Sequence, residues 1–115
     1  MGLVRVRLDF KFWLETDKGY VLGEGTFNLL VKINETGTLT DAAKELGMSY
    51  RYAWGLIKEA EKNLKTPLLE THKGGIRGGG GAILTVEAKE LLRKYEIAEK
   101  TFLEVSHKLN AKLLE

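Results

Sequence analysis

The chain opens on an alternation. Val4, Val6, Leu8, Phe10, Phe12 and Leu14 are separated by Arg5, Arg7, Asp9, Lys11 and Trp13, with Glu15 after them. A period of two places the first set on one face of a strand. Thr16, Asp17, Lys18 and Gly19 supply turn chemistry, and Tyr20, Val21 and Leu22 predict a short returning strand. Residues 1–22 therefore read as an N-terminal strand or hairpin. Two strands alone are marginal in water, so this hairpin should pack on another element or on a second subunit, with Trp13 as a candidate interface aromatic.

After Gly23 to Gly25 the period becomes helical. A helix is expected from about Thr26 to Glu35, with Phe27, Leu30, Val31 and Asn34 on one face and Ile33 at its edge; Gly37 ends it. Leu39, Ala42, Ala43 and Leu46 then fall at i, i+3, i+4 and i+7, the apolar face of a second helix capped by Thr38 or Thr40. Gly47 can stop it in the left-handed conformation, and Ser49 is a natural N-cap for a third. In that third helix, ending at Leu64, the inward set is Ala53, Trp54, Ile57, Ala60 and Leu64, leaving Tyr50, Arg51, Tyr52, Lys58 and Lys62 outside. Residues 26–64 thus predict a three-helix core, of which 38–64 is a helix-turn-helix. The small Ala42 and Ala43 let another helix cross closely.

Pro67 prevents further helix. Residues 67–84 predict a hairpin: Leu68 and Leu69 buried, a tip through Gly74 to Gly81, and Ala82, Ile83 and Leu84 returning. A hairpin directly after a helix-turn-helix is the wing of a winged helix. Thr85 can cap a last helix over 86–114. There Ala88, Leu91, Tyr95, Ala98, Phe102, Val105 and Leu109 step by three and four in turn, a heptad seam. Such a helix is about 43 Å long at 1.5 Å per residue. That exceeds what a small core can cover, so the surplus apolar face predicts a homodimer through the C-terminal helix. The fold class expected is α+β, mainly α.

Composition narrows the function. The chain has 115 residues and a net charge of +2, so any electrostatic preference must come from where charge sits. It has no Cys, which removes disulfides, thiolate metal sites and cysteine nucleophiles. No apolar run nears the ~20 residues of a membrane span, and no signal-peptide pattern is present; a soluble cytoplasmic protein is expected. His72 and His107 are isolated, with no catalytic or metal-ligand spacing around them, so neither enzyme activity nor a cofactor is expected.

The outer first turn of the third helix carries Ser49, Tyr50, Arg51 and Tyr52, hydrogen-bonding and stacking groups where a solvated face would carry Glu, Lys and Gln. A helix-turn-helix presents such groups to base edges in the major groove. The bland alternative is an αα-hairpin with two exposed tyrosines. From Thr71 to Gly81 there is no acidic residue, while Lys73 and Arg77 are basic and the glycines leave N–H groups free for phosphates. The run GGIRGGGG lacks the Lys-Ser/Thr of a phosphate-binding P-loop and the βαβ setting of a dinucleotide fingerprint. A plain flexible hairpin tip is its competitor. The candidate DNA-contacting residues are Ser49, Tyr50, Arg51, Tyr52, Lys58, His72, Lys73 and Arg77, and the partner expected is double-stranded DNA.

GTLTDAAKELGMSYRYAWGLIKEAE followed by GGIRGGGGAILT resembles the N-terminal winged-helix domain of the ModE-type molybdate-responsive transcription regulators. The alanine pair, the Ser-capped helix, Pro-Leu-Leu-Glu and Leu-Thr also resemble the LysR-type winged helix. The resemblance implies that Ser49 to Tyr52 open a recognition helix, that Trp54 is a core tryptophan, that Lys73 and Arg77 lie in the wing, and that the helix from Val86 links a dimer. Longer members continue into a β-rich domain that binds molybdate or tungstate. With the sequence ending at Glu115, the expectation is a stand-alone DNA binder or the DNA-binding half of a system whose sensor is a separate protein. The competing function is a winged-helix interaction module that does not bind DNA, which the near-neutral charge favours.

Overall fold

The computed structural model describes residues 4–72 and 81–113. In chain order the elements are β1 (Leu14–Thr16), β2 (Gly19–Leu22), α1 (Glu24–Thr36), α2 (Leu39–Glu45), α3 (Tyr50–Leu64), β3 (Leu69–His72), β4 (Gly81–Leu84) and α4 (Val86–Leu113). This is the mainly helical α+β winged helix-turn-helix layout expected from the hydrophobic pattern, with the long C-terminal helix in place.

Local chemistry explains the boundaries. The Thr38 hydroxyl accepts the Asp41 N–H at 3.0 Å and opens α2. Gly47, at φ 68°, turns the chain after it. The Ser49 hydroxyl accepts the Tyr52 N–H at 3.0 Å and opens α3, and Thr85 does the same for Ala88 at 3.1 Å and opens α4. Each such cap is worth roughly 1 kcal/mol.

The core is where the three short helices meet β2 and the wing strands. Leu29, Leu30 and Ile33 of α1, Ala42 and Ala43 of α2, and Ala53, Ile57 and Ala60 of α3 are buried together with Val21, Leu22, Leu68 and Leu84. Full burial of each large aliphatic side chain contributes about 1.5–3 kcal/mol. The small Ala42, Ala43, Ala53 and Ala60 are what let α2 and α3 pack closely. Strand β3 pairs antiparallel with β4, from Leu69 opposite Leu84 to His72 opposite Gly81. The Ala82 N–H donates to the Gly37 carbonyl at 2.8 Å, tying the wing to the α1–α2 junction.

Three expectations need correcting. First, the long N-terminal strand is not one: only Leu14–Thr16 pairs, with β2. Residues 4–13 lie along α4 instead. The Leu8 N–H donates to Asn110 Oδ1 at 2.6 Å, the Asn110 amide donates back to the Leu8 carbonyl at 3.2 Å, and the Phe12 ring stacks on Tyr95 with centroids 4.6 Å apart. A helix surface offers side chains but no ladder of backbone partners, so alternation survives without a strand, and Val4 and Val6 stay exposed. Second, α1 starts at Glu24, and its buried line is Thr26, Leu29, Leu30 and Ile33, with Asn34 exposed. Thr26 was expected near a helix start; it lies inside, and its buried hydroxyl has no partner. Third, Trp54 is 40% exposed, for the reason given below.

The heptad seam of α4 divides. Ala88 and Tyr95 are buried in the core, whereas Phe102, Val105 and Leu109 are 47%, 48% and 41% exposed.

Candidate nucleic-acid interface

Helix α3 is oriented by its buried edge. Ala53, Ile57 and Ala60 face the core, and at about 100° per residue the opposite direction runs through Arg51, Gly55 and Lys62. All three are exposed. Tyr50, Trp54 and Lys58 form a stripe on one flank. The Tyr50 and Trp54 rings are nearly parallel, 10° apart in tilt with centroids separated by 6.4 Å, and the Lys58 ammonium lies 4.3 Å from the Trp54 ring centroid. Tyr52, 54% exposed, stands on the other flank.

This stripe accounts for Trp54. Its ring sits at the border of the buried face, where Tyr50 one turn before and Lys58 one turn after supply a stacking partner and a cation. An exposed cation–π contact contributes about 0.5–1 kcal/mol. The stripe thereby holds three long side chains in order, which lowers the entropy lost when they engage a ligand.

Ser49, Tyr50, Arg51, Tyr52 and Lys58 are thus brought together on the exposed side of one helix. The Ser49 hydroxyl is engaged as an acceptor in the cap, which leaves its O–H free to donate outward. Arg51 makes no salt bridge among the described residues. Lys58 pairs with Glu61 at 3.2 Å, and α3 has no acidic residue in its first turn. The tip of the helix therefore offers donors, aromatic rings and an unopposed guanidinium.

His72 ends β3, exposed, and its ring fills the space beside Gly81 where a Cβ would collide with it. Lys73 and Arg77, with the glycine run, lie outside the described residues. Two residues of the site were not singled out from the sequence. Gly55 sits on the outermost line of α3 with open space around it; a glycine in the middle of an amphipathic helix was the available signal. Glu61 accepts both the Lys58 ammonium and, at 2.8 Å, the Leu68 N–H, so one carboxylate links α3 to the segment entering the wing. Among the described residues no cluster of His, Asp and Glu could hold a metal, and no helix is long and apolar enough to cross a membrane.

Residues 26–89 match the family model for bacterial regulatory helix-turn-helix proteins of the lysR family. The chain is 40% identical over 73 residues to the transcriptional regulator ModE of Haemophilus influenzae, an alignment covering 64% of this chain and 28% of that protein. It is 39% identical over 87 residues to the molybdenum transport protein ModE of Herbaspirillum seropedicae, covering 76% and 32%. Against the DNA-binding transcriptional dual regulator ModE of Escherichia coli K12 it is 37% identical over 70 residues, covering 61% and 26%. The chain therefore spans about a third or less of the length of these relatives.

Proposed function

The chain belongs to the lysR family of bacterial regulatory helix-turn-helix proteins, and on that premise we propose that it is a sequence-specific DNA-binding transcription regulator working as a homodimer. The observation that carries the proposal is the exposed tip of α3: Ser49, Tyr50, Arg51 and Tyr52 project from a helix whose other side is locked by alanines into the core. In this reading α3 enters the major groove, Arg51 and the Ser49 hydroxyl reach base edges, and the Tyr50–Trp54–Lys58 stripe and Tyr52 line the groove walls and phosphates. Lys73 and Arg77, which follow His72 in sequence, hold the neighbouring backbone in this reading.

The second half of α4 supports the dimer. Val105 and Leu109 continue a heptad seam and stay 48% and 41% exposed, while Phe102 packs on Phe10 and Phe12 with centroids 5.7 and 5.2 Å away and keeps 47% of its surface open. Pairing of two such helices would present two α3 tips to successive major grooves of a two-fold related site, with half-sites one helical turn or a multiple apart.

Fluorescence anisotropy tests the DNA reading. Random duplex should bind at micromolar or tighter affinity in low salt, and the affinity should fall steeply as salt rises. On duplex selected by the protein from a random library, Arg51→Ala should cost about 1–3 kcal/mol and relax base preference at one position. No salt-sensitive binding, or an Arg51→Ala protein with unchanged affinity and preference, overturns the assignment.

A further inference from the structure

Away from α3, the N-terminal segment, the β2–α1 turn and α4 line a half-open cavity of about 560 Å³. That is within the range of sites for small organic ligands. Its lining combines two chemistries. Phe12, Trp13, Tyr20 and Tyr95 supply aromatic surface, and Glu24 and Glu99 supply carboxylates; Asp9 is paired with Arg7 at 3.6 Å, and Lys11 adds one ammonium.

Tyr95 is the most telling of these groups. It is only 2% exposed. Its ring is clamped between Phe12 and Phe27, with centroids 4.6 and 4.4 Å away. Its hydroxyl makes no hydrogen bond among the described residues. Burial, then the charges of Glu99 and Glu24 and the nearby Tyr20, holds the Tyr95 phenol above its ordinary pKa. Tyr95 and all three of those neighbours line the cavity. Among the described residues it is the Thr26 hydroxyl that is buried without a partner; the Tyr95 hydroxyl reaches accessible space and is free to hydrogen-bond with what enters it, at the wall of an apolar and anionic space.

We propose that this cavity is a binding site for a small organic cation, an amine in its ammonium form carried on an apolar or aromatic skeleton. The ammonium would sit between the Glu24 and Glu99 carboxylates and donate to the Tyr95 hydroxyl, and the skeleton would stack on the Phe12, Trp13 and Tyr20 rings. Because the walls come from three separate parts of the chain, the bound cation would fasten the N-terminal segment to α4 and to the start of α1. The site is distinct from the α3 face and does not depend on DNA binding.

The test uses the full chain, with phenethylammonium chloride as probe and 2-phenylethanol and phenylacetate as its neutral and anionic counterparts. The Trp13 indole N–H and the Gly23 amide are followed by NMR. The cation should give saturable shifts at these two positions, and the counterparts should bind at least about tenfold more weakly. Glu99→Gln, a partly exposed helical position where folding is not at risk, should weaken the cation severalfold without changing the response to the alcohol. Tyr95→Phe, which keeps the ring stack, should also weaken it. Equal affinity for the three probes, a Glu99→Gln protein that binds the cation as well as the parent does, shifts centred elsewhere, or no saturation at all would each overturn the site.

Discussion

Gly55 is the position where stability and recognition should pull in opposite directions. It lies near the middle of α3 and is exposed, and a Cβ built there meets nothing within 4 Å. Glycine in a helix interior costs about 0.5–1 kcal/mol relative to alanine, because the unfolded chain loses more freedom on folding. With open space for the methyl, Gly55→Ala should recover that amount and raise Tm by about 3–6 °C. The same methyl stands on the line through Arg51 and Lys62 that points straight away from the core. A helix seated in a major groove comes closest to the bases along that line. The added Cβ should lift it by several tenths of an ångström and lengthen the contacts made by Arg51, lowering affinity for selected duplex about five- to tenfold. Thermal melting by circular dichroism and anisotropy titrations on the same samples read both effects. A more stable variant that binds DNA as tightly as the parent would refute the idea that this line meets the bases. A less stable one would refute the reading of the glycine as uncrowded.

Two further outcomes follow from the packing. Thr26→Val replaces a buried, unpartnered hydroxyl by a methyl of similar size, so urea unfolding should show a gain of about 1 kcal/mol. Val105→Glu places a charge in the half-exposed part of the α4 seam, where glutamate is at least as good a helix former as valine; if the proposed dimer forms through α4, light scattering should report a folded monomer for this variant and a dimer for the parent.

The helix-turn-helix was legible because its determinants are local. The spacing of Leu39, Ala42 and Ala43, the Gly47 turn and the Ser49 cap lie within a few residues of one another, and each acts where expected. The exposure of Tyr50, Arg51 and Tyr52 followed from the same periodicity. What was not legible depended on distant partners. The alternation over residues 4–14 does not record whether the face opposite is a strand or a helix, and the partner here is α4, through Asn110, 102 residues from Leu8. Glu24 and Gly25 carry no apolar signal, so periodicity alone starts α1 at Thr26, whereas its buried line centres on Ile33 with Leu29 beside it. Trp54 reads as core in the sequence because it is a large aromatic next to a buried stripe. That its neighbours at four residues on either side form a surface stack is also written in the spacing, but only once exposed aromatics are allowed to pack on one another.

The chain carries two tryptophans, and they lie on different surfaces: Trp54 on α3, and Trp13 on the segment beside α4. Their indole N–H resonances in a ¹⁵N-labelled sample therefore separate the two faces. Titration with selected duplex should shift or broaden the Trp54 signal in proportion to DNA bound and leave Trp13 in place. A duplex that moves Trp13 and leaves Trp54 untouched would contradict docking of α3 in the groove.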